Sequence, residues 1–388
     1  MTFLSPETLK KLSARKAMPG ETPEIEFIPT GIYAADLAIG GGFPRGRVTE
    51  ISGREATSKT TLVLIAAAKA IERGEYVALL ETESALDLKW LERLGIPEEE
   101  VYMGEEDKEM ADCHLHVWHP SYLESALETL LTLYAENKYS LIVLDSFGGS
   151  PVRSAAEGTM EDATMMKLAR VGSTFKTLFF ARAAKGNAAV VIVNQVYVTT
   201  QQPFYDALKP EGGMVVSSGG NSIPYLASLR IYMEPPLKVS LDKDTIMPDG
   251  EKLKKGFIIG KRHKGMIHKN KTGKPAPSRF EFGLMIYPES YINYVADLAD
   301  TAIAVNLIEQ RGAHYYFGEE KLAHGRNALE QLLFEDVGLF TKLETLLTEH
   351  IARQRKESHV GTETAVETEA VAALPGSAPD LQLQDELS

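Results

Sequence analysis

Short apolar runs recur between Val48 and Met233, each followed by a stretch with helical spacing of its apolar positions. Val48–Ser52, Val77–Glu81, His114–Trp118, Leu141–Asp145, Ala189–Asn194 and Leu229–Met233 read as strands. Most are nearly continuous in apolar residues, the pattern of strands covered on both faces. Leu62–Ile71, Leu123–Ala135 and Met165–Ala184 read as helices between them. This alternation predicts an α/β fold built on a mostly parallel twisted sheet flanked by helices. Met247–Gly250 (MPDG) is a turn signal between two extended polar runs, which predicts a hairpin at the sheet edge.

Outside this core the pattern changes. Residues 1–30 read as a short helical arm (Pro6–Lys16) and a Pro/Glu-rich linker. Residues 31–294 form the core, and residues 295–357 a smaller, mainly helical α/β lobe with a glycine-punctuated middle. Residues 358–388 are rich in Ala, Thr, Glu and Pro without periodicity, so a disordered acidic tail is expected.

Composition adds exclusions. The chain has 388 residues, 44% hydrophobic and 24% charged, an ordinary globular balance. No apolar run approaches the ~20 residues that span a bilayer, and the N-terminus lacks the apolar core of a secretion signal. Cys113 is the sole cysteine, so no internal disulfide can form, and a cytoplasmic location is expected. The net charge of −13 argues against a nucleic-acid partner until its distribution is considered. Lys252–Arg279 holds ten Lys/Arg and no Asp/Glu, while His359–Ser388 holds six Asp/Glu and no Lys/Arg. A basic surface and an acidic tail on one chain suggest a polyanion partner; a solvated hairpin and a solubilising tail are the plainer alternative.

The candidate chemistry starts at VTEISGREATSKTT, Val48–Thr61. A strand, a glycine-bearing loop and Lys-Thr at a helix start form a phosphate cradle of the type G-x-x-x-x-G-K-[ST]. Loop N–H groups and the helix N-terminus face phosphate oxygens, the lysine reaches the terminal phosphates, and the hydroxyl ligates Mg²⁺. Gly53, Lys59 and Thr60 match, while Ser58 stands where the second glycine is expected. LIVLDS (Leu141–Ser146) ends a strand on Asp145, a carboxylate placed to orient Mg²⁺ through water, with helix capping as its competitor. In LETESALDLKW, Glu81 and Glu83 project the same way on an extended strand, where a carboxylate is well placed as base for water; an ordinary surface charge is the plainer alternative for either. Trp90 can stack on a base or fill the core. VVIVNQ ends on Gln195, an amide placed to sense a γ-phosphate, with a solvated polar strand end as its competitor. Gly148–Thr164 and Val198–Gly220 are long, irregular runs leaving the same edge, which suits a ligand-gated surface.

Taken in order, these residues resemble the RecA recombinases, and the altered phosphate loop is similar to phage versions of the UvsX type. The matching pieces are TGIYAADLAIGGGFPRGRVTEISG, ETESALD, LIVLDS, VVIVNQ, SGGNSIPYLASLRI, HKNKTGKPAPSRFEF and INYVADLADTAIAVNLIEQRGAHYYFGEEKLAHGRNAL, spanning roughly Glu24–Leu329. The resemblance implies a RecA-like P-loop ATPase core, with ATP and Mg²⁺ as ligands. It places Gly53, Arg54, Glu55, Ala56, Thr57, Ser58, Lys59, Thr60 and Thr61 around the phosphates, with Thr60 and Asp145 serving the metal. Glu83 takes the place of the water-activating base and Gln195 couples the γ-phosphate to DNA. Asp87 and Trp90 would meet the adenine, and Tyr287 would approach it from a neighbouring subunit. Lys269 and Lys271 look like cations that reach a neighbour's ATP. Arg170, Lys176, Gly219, Gly220 and Asn221 would contact DNA, beside loops within Pro151–Thr164 and Val198–Gly219.

Implied partners are single- and double-stranded DNA, further copies of the chain in a helical filament, and a recombination mediator or single-strand-binding protein; no membrane is implied. The location implied is the nucleoid, or the host cytoplasm for a phage protein. Three departures stand out: Ser58, both DNA loops, and a longer Pro235–Lys264 stretch whose Lys261, Arg262 and Lys264 compete for the in-trans role. Two rivals remain open, an ATP-gated DNA-coating scaffold with weak hydrolysis and a hexameric motor or helicase on the same core.

Overall fold

The computed structural model describes residues 25–83, 86–104, 109–153, 164–182, 186–198, 215–246, 251–272, 274, 276–286 and 291–372. The expected arm, most of both DNA loops and Tyr287 lie outside them. In chain order the strands are β1 (Phe27–Ile28), β2 (Phe43–Pro44), β3 (Val48–Gly53), β4 (Val77–Glu81), β5 (Val101–Tyr102), β6 (Leu115–Trp118), β7 (Leu141–Asp145), β8 (Ala189–Val198), β9 (Val215–Ser217) and β10 (Leu229–Met233). There follow β11 (Leu237–Ser240), β12 (Thr245–Ile246), β13 (Lys252–Leu253), β14 (Ile258–Asn270), β15 (Ser278–Met285), β16 (Tyr291–Ile292), β17 (Glu309–Arg311), β18 (His314–Phe317) and β19 (Glu320–His324).

All six strands expected from the apolar runs are present, shifted by no more than a few residues at their ends. They belong to one 12-stranded sheet ordered β16-β15-β14-β10-β3-β8-β7-β4-β6-β5. From β10 to β5 neighbouring strands run parallel; β14 to β16 extend the sheet antiparallel. The α/β expectation is borne out. β3, β4, β7 and β10 are buried along their whole length because helices cover both faces. Helix Lys59–Glu72 lies in one core layer with Leu62, Ile65 and Ala66, while Leu123–Glu136 and Thr164–Arg182 fill the other with Leu127, Leu130 and Phe175.

The expected turn, Met247–Gly250, lies outside the described residues; β12 and β13 on either side of it pair as a two-stranded sheet of their own and not as added edge strands. The C-terminal lobe has a separate core around Leu298, Leu329 and Leu347, with β17–β18–β19 as a small antiparallel sheet. Asp297 of helix Tyr294–Ala304 accepts the N–H groups of Tyr33 (2.6 Å) and Ala34 (3.2 Å), tying the lobe to the first core helix, Tyr33–Ile39. The last helix, Val337–Ala372, runs past Ser358, where a disordered tail was expected. Alanine and glutamate are frequent there and no proline interrupts the chain before Pro375.

β14 contains a buried liability. His263 is 1% exposed, stacks on Phe282 at 5.1 Å, and neither ring nitrogen has a hydrogen-bond partner among the described residues. Burial, with Lys261 adding to it, pushes its pKa down from 6.5 to about 4. The folded state therefore holds the ring neutral, and its contribution is complete above pH 6.5. It is lost as pH falls towards 4, because the unfolded chain takes up the proton first. His263→Phe is expected to remove on the order of 3 kcal/mol of acid destabilisation between those limits. Thermal melts of both proteins across that range check this; parallel pH profiles contradict it.

Candidate functional site

β3 runs straight into the phosphate loop. Gly53 is required there: a Cβ would lie 2.7 Å from both the Met233 carbonyl and Thr57 Oγ1. Thr57 Oγ1 donates to the Arg54 carbonyl at 2.8 Å and closes the turn. Ala56 and Ser58 both adopt left-handed backbone conformations, at φ 55° and 62°. The conformation at Ser58 explains why a glycine is expected at that position, since a Cβ there costs about 1 kcal/mol or more. Ser58 caps helix Lys59–Glu72 without a side-chain hydrogen bond, so its hydroxyl gives the helix no cap in return for that cost. Ser58→Gly is accordingly expected to stabilise the protein by roughly 0.5–1 kcal/mol, read as a raised unfolding midpoint. An unchanged or lowered midpoint would count against strain at this position.

Lys59 is 9% exposed and donates from Nζ to the carbonyls of Gly53 (3.1 Å) and Arg54 (2.7 Å). Burial lowers its pKa, while Asp145, Glu83 and Glu55 pull it back up. Thr60 Oγ1 donates to Asp145 Oδ2 at 2.5 Å, joining the loop to the end of β7. Burial raises the Asp145 carboxyl to about 6, and neighbouring Glu83 and Glu81 push in the same direction against Thr60 and Lys59.

Glu83 stands at the same edge, one strand further along. Its Oε1 accepts from Ser146 Oγ at 2.7 Å and from Gln195 Nε2 at 3.4 Å. In the sheet register Glu81 faces Asp145 and Gly53 faces Gln195, so β3, β4, β7 and β8 deliver all of these groups to one carboxyl edge. Lys59, Thr60, Glu83, Asp145 and Gln195, scattered in sequence, are thereby brought together.

Other expected residues fall elsewhere. Asp87 caps helix Leu88–Arg93, accepting from the Lys89 N–H at 3.0 Å, and Trp90 packs half-buried against the main core. Arg170 is exposed on helix Thr164–Arg182 and Lys176 is half-buried on it. Gly219 is buried against Phe147, and Asn221 is exposed ahead of helix Ser222–Leu226. Lys269 donates to the Pro224 carbonyl at 2.6 Å and Lys271 is exposed. Of their competitors, Lys264 and Arg262 pair across strands with Glu281, at 2.9 and 3.9 Å.

Sequence reading missed several participants. Ser146 was seen only as the residue after Asp145, yet its hydroxyl anchors Glu83 and accepts the Gly149 N–H at 3.1 Å. Glu81 is buried; its Oε1 accepts the Glu83 N–H at 3.0 Å and its Oε2 lies 3.1 Å from His119 Nδ1. Glu81 is therefore a brace for the Glu83 backbone. Glu50 and Arg230 were also passed over, although each puts a lone charge inside an apolar strand.

The donor set fits a magnesium nucleotide. Among the described residues no group of three or more His, Cys, Asp or Glu could hold a metal by itself. Thr60 and Asp145 instead supply one hydroxyl and one carboxylate, the sparse protein contribution that Mg²⁺ accepts when phosphates and water complete its shell. A large parallel sheet, a phosphate loop and a paired carboxylate edge define a P-loop nucleotide-binding protein.

Comparison narrows the class. Residues 9–278 match the family model of the RecA N-terminal domain, and residues 296–352 that of the RecA C-terminal domain. The chain belongs to the RecA family. It is 30% identical over 352 residues to Protein RecA of Bartonella quintana (strain Toulouse), covering 90% of each chain. It is 31% identical over 334 residues to Protein RecA of Thermus thermophilus, covering 85% of this chain and 87% of that one. With Protein RecA of Aquifex pyrophilus it shares 30% identity over 344 residues, 88% of each. These matches carry the family and not the phage-type subgroup.

Proposed function

We propose that the chain is a DNA-dependent ATPase that assembles as helical filaments on single-stranded DNA and catalyses homologous pairing and strand exchange in recombination and repair. The observation that carries this reading is the meeting of Glu83, Gln195 and Asp145 with the phosphate loop, at the edge from which both long loops depart. Lys59 would hold the β- and γ-phosphates, and the Arg54–Thr61 backbone would cradle them. Mg²⁺, held by Thr60 and oriented by Asp145, would supply charge neutralisation at the transferring phosphoryl group. Glu83 would take the proton of the attacking water while Ser146 and Gln195 hold its carboxylate in place. Gln195 would report the γ-phosphate to the second loop.

Asp87, Trp90 and a neighbour's Tyr287 are proposed around the adenine, and Lys269 with Lys271 as cations offered to the adjoining subunit. The DNA contacts proposed are Arg170, Lys176 and Gly219–Asn221; backbone contacts of this kind need no base sequence. The domain limits follow the sequence expectation: an oligomerisation arm at 1–30, a core at 31–294 and a lobe at 295–357. A cytoplasmic site of action and cooperation with a mediator or single-strand-binding protein complete the reading. A DNA-coating scaffold with weak turnover is the second reading, favoured by the left-handed Ser58 in the phosphate loop.

Steady-state ATP hydrolysis with and without single-stranded DNA, alongside electron microscopy of the ATP–DNA complex, tests the proposal. DNA-stimulated turnover and helical filaments are expected. Filaments without turnover would favour the scaffold, and closed rings would contradict both.

A further inference from the structure

Among the described residues, the largest side chain with almost no exposure is an arginine. Arg230 is 1% exposed and lies on β10, directly across from Glu50 of β3. Its Nε donates to Glu50 Oε2 at 2.6 Å, and Glu50 is fully buried. The other Glu50 oxygen accepts from Asn194 Nδ2 at 2.9 Å, on the opposite neighbouring strand β8. Asn194 is also fully buried and works in two further directions. Its Nδ2 donates to the Ser218 carbonyl at 3.1 Å, and its Oδ1 accepts the Gln195 N–H at 2.9 Å. Arg230 Nη2 reaches Ser217 Oγ at 3.4 Å.

This polar chain thus crosses the middle of the sheet and ends on two functional segments. One is Gln195, whose amide meets Glu83. The other is Ser217–Ser218, the root at which the second long loop returns to the fold. The first loop closes on the same point: a Cβ on Gly148 would lie 2.8 Å from Ser218 Cβ and 3.0 Å from Asn194 Oδ1. A buried ion pair contributes little net stability once both charges are desolvated, and apolar side chains would hold these strands as well. What a fully satisfied buried network does provide is a single fixed geometry.

We infer that Asn194, locked by the Glu50–Arg230 pair, is the positioning residue through which Gln195 and the roots of both loops keep a common geometry. Resting on the function proposed above, the inference assigns to this clamp the transmission between nucleotide and DNA, and not the binding of either.

The test compares wild type, Asn194→Ala, and the exchanged pair Glu50→Gln with Asn194→Asp. In the exchanged pair the new amide donates to the new carboxylate, so the link between strands is retained with the same net charge. A carboxylate cannot donate to the Ser218 carbonyl, so the clamp on the loop root is lost. The readouts are basal ATP hydrolysis, KM for MgATP, thermal melting, and the stimulation of hydrolysis by a poly-dT oligonucleotide. The exchanged pair is expected to melt near wild type and keep basal rate and KM within about twofold, while DNA stimulation falls about tenfold, as for loss of a coupling interaction. Asn194→Ala should lose the same stimulation with a lower melting temperature. Stimulation retained within twofold in the exchanged pair would overturn the inference.

If the exchanged pair does not fold, Gly148→Ala strikes the junction from the other side. It is expected to lose stimulation likewise, and full stimulation there would overturn the inference. A wild-type protein whose hydrolysis ignores DNA would instead overturn the functional reading beneath it.

Discussion

Glu83→Gln is expected to slow ATP turnover by about 10²–10⁴-fold, the range for removing a general base from a transition state. Glutamine keeps the length and planarity of the side chain, so Ser146 Oγ still finds an acceptor oxygen in place of the one it meets at 2.7 Å. The exposed site and the short strand end make no demand on the carboxylate for folding, so melting should stay near wild type. Nucleotide binding should persist because Lys59, Thr60 and the loop backbone are untouched. The variant is then expected to hold single-stranded DNA longer than wild type in the presence of ATP, since the state that grips DNA is no longer discharged. Steady-state hydrolysis and filament dissociation after ATP dilution check both halves. Turnover within threefold of wild type would move the base elsewhere; the buried position of Glu81 and its bond to the Glu83 N–H make that carboxylate a poor substitute.

Lys59→Ala is expected to have the larger effect on binding. The Nζ is buried within the loop and rests on the Gly53 and Arg54 carbonyls. Its loss frees two loop carbonyls to water, at about 1 kcal/mol, and removes a desolvated charge, so net stability should change little. Binding of the triphosphate should weaken at least tenfold and hydrolysis should fall below about 1% of wild type. A melt with and without MgATPγS separates these effects. Wild type should gain thermal stability with nucleotide, and Lys59→Ala should gain none. An equal gain in both proteins would place the nucleotide elsewhere.

Much of this arrangement was legible in the chain because apolar runs are the strongest local signal. Parallel strands covered on both faces must be nearly continuous in apolar residues, so β3, β4, β7, β8 and β10 announced themselves. A polar residue ending such a run stands out, which is how Asp145 and Gln195 were found. What local pattern cannot show is which strands are neighbours. Glu50 and Arg230 are 180 positions apart, and only the order β10-β3-β8 makes them partners and adds Asn194. Each did carry a signal: a single charge inside a buried strand requires a partner of opposite sign. Glu81 and Glu83 illustrate the reverse limit. Two residues apart on an extended chain, they were expected to project alike, but β4 ends at Glu81, and the chain then turns so that one carboxylate braces the other's backbone. Beyond Ser358 the composition lacks periodicity and so gives no local sign of a helix, yet alanine and glutamate favour one and the helix continues to Ala372.

The central claim is that triphosphate at the Lys59 pocket decides whether loops rooted beyond Asp145 and at Ser217–Gly219 hold single-stranded DNA. Fluorescence anisotropy of a labelled poly-dT oligonucleotide tests it most directly, with wild type and Lys59→Ala each titrated under MgATPγS, MgADP and no nucleotide. Wild type should bind at least tenfold more tightly with MgATPγS than in the other two conditions, and Lys59→Ala should show one weak affinity throughout. Tight binding by both proteins regardless of nucleotide would contradict the account.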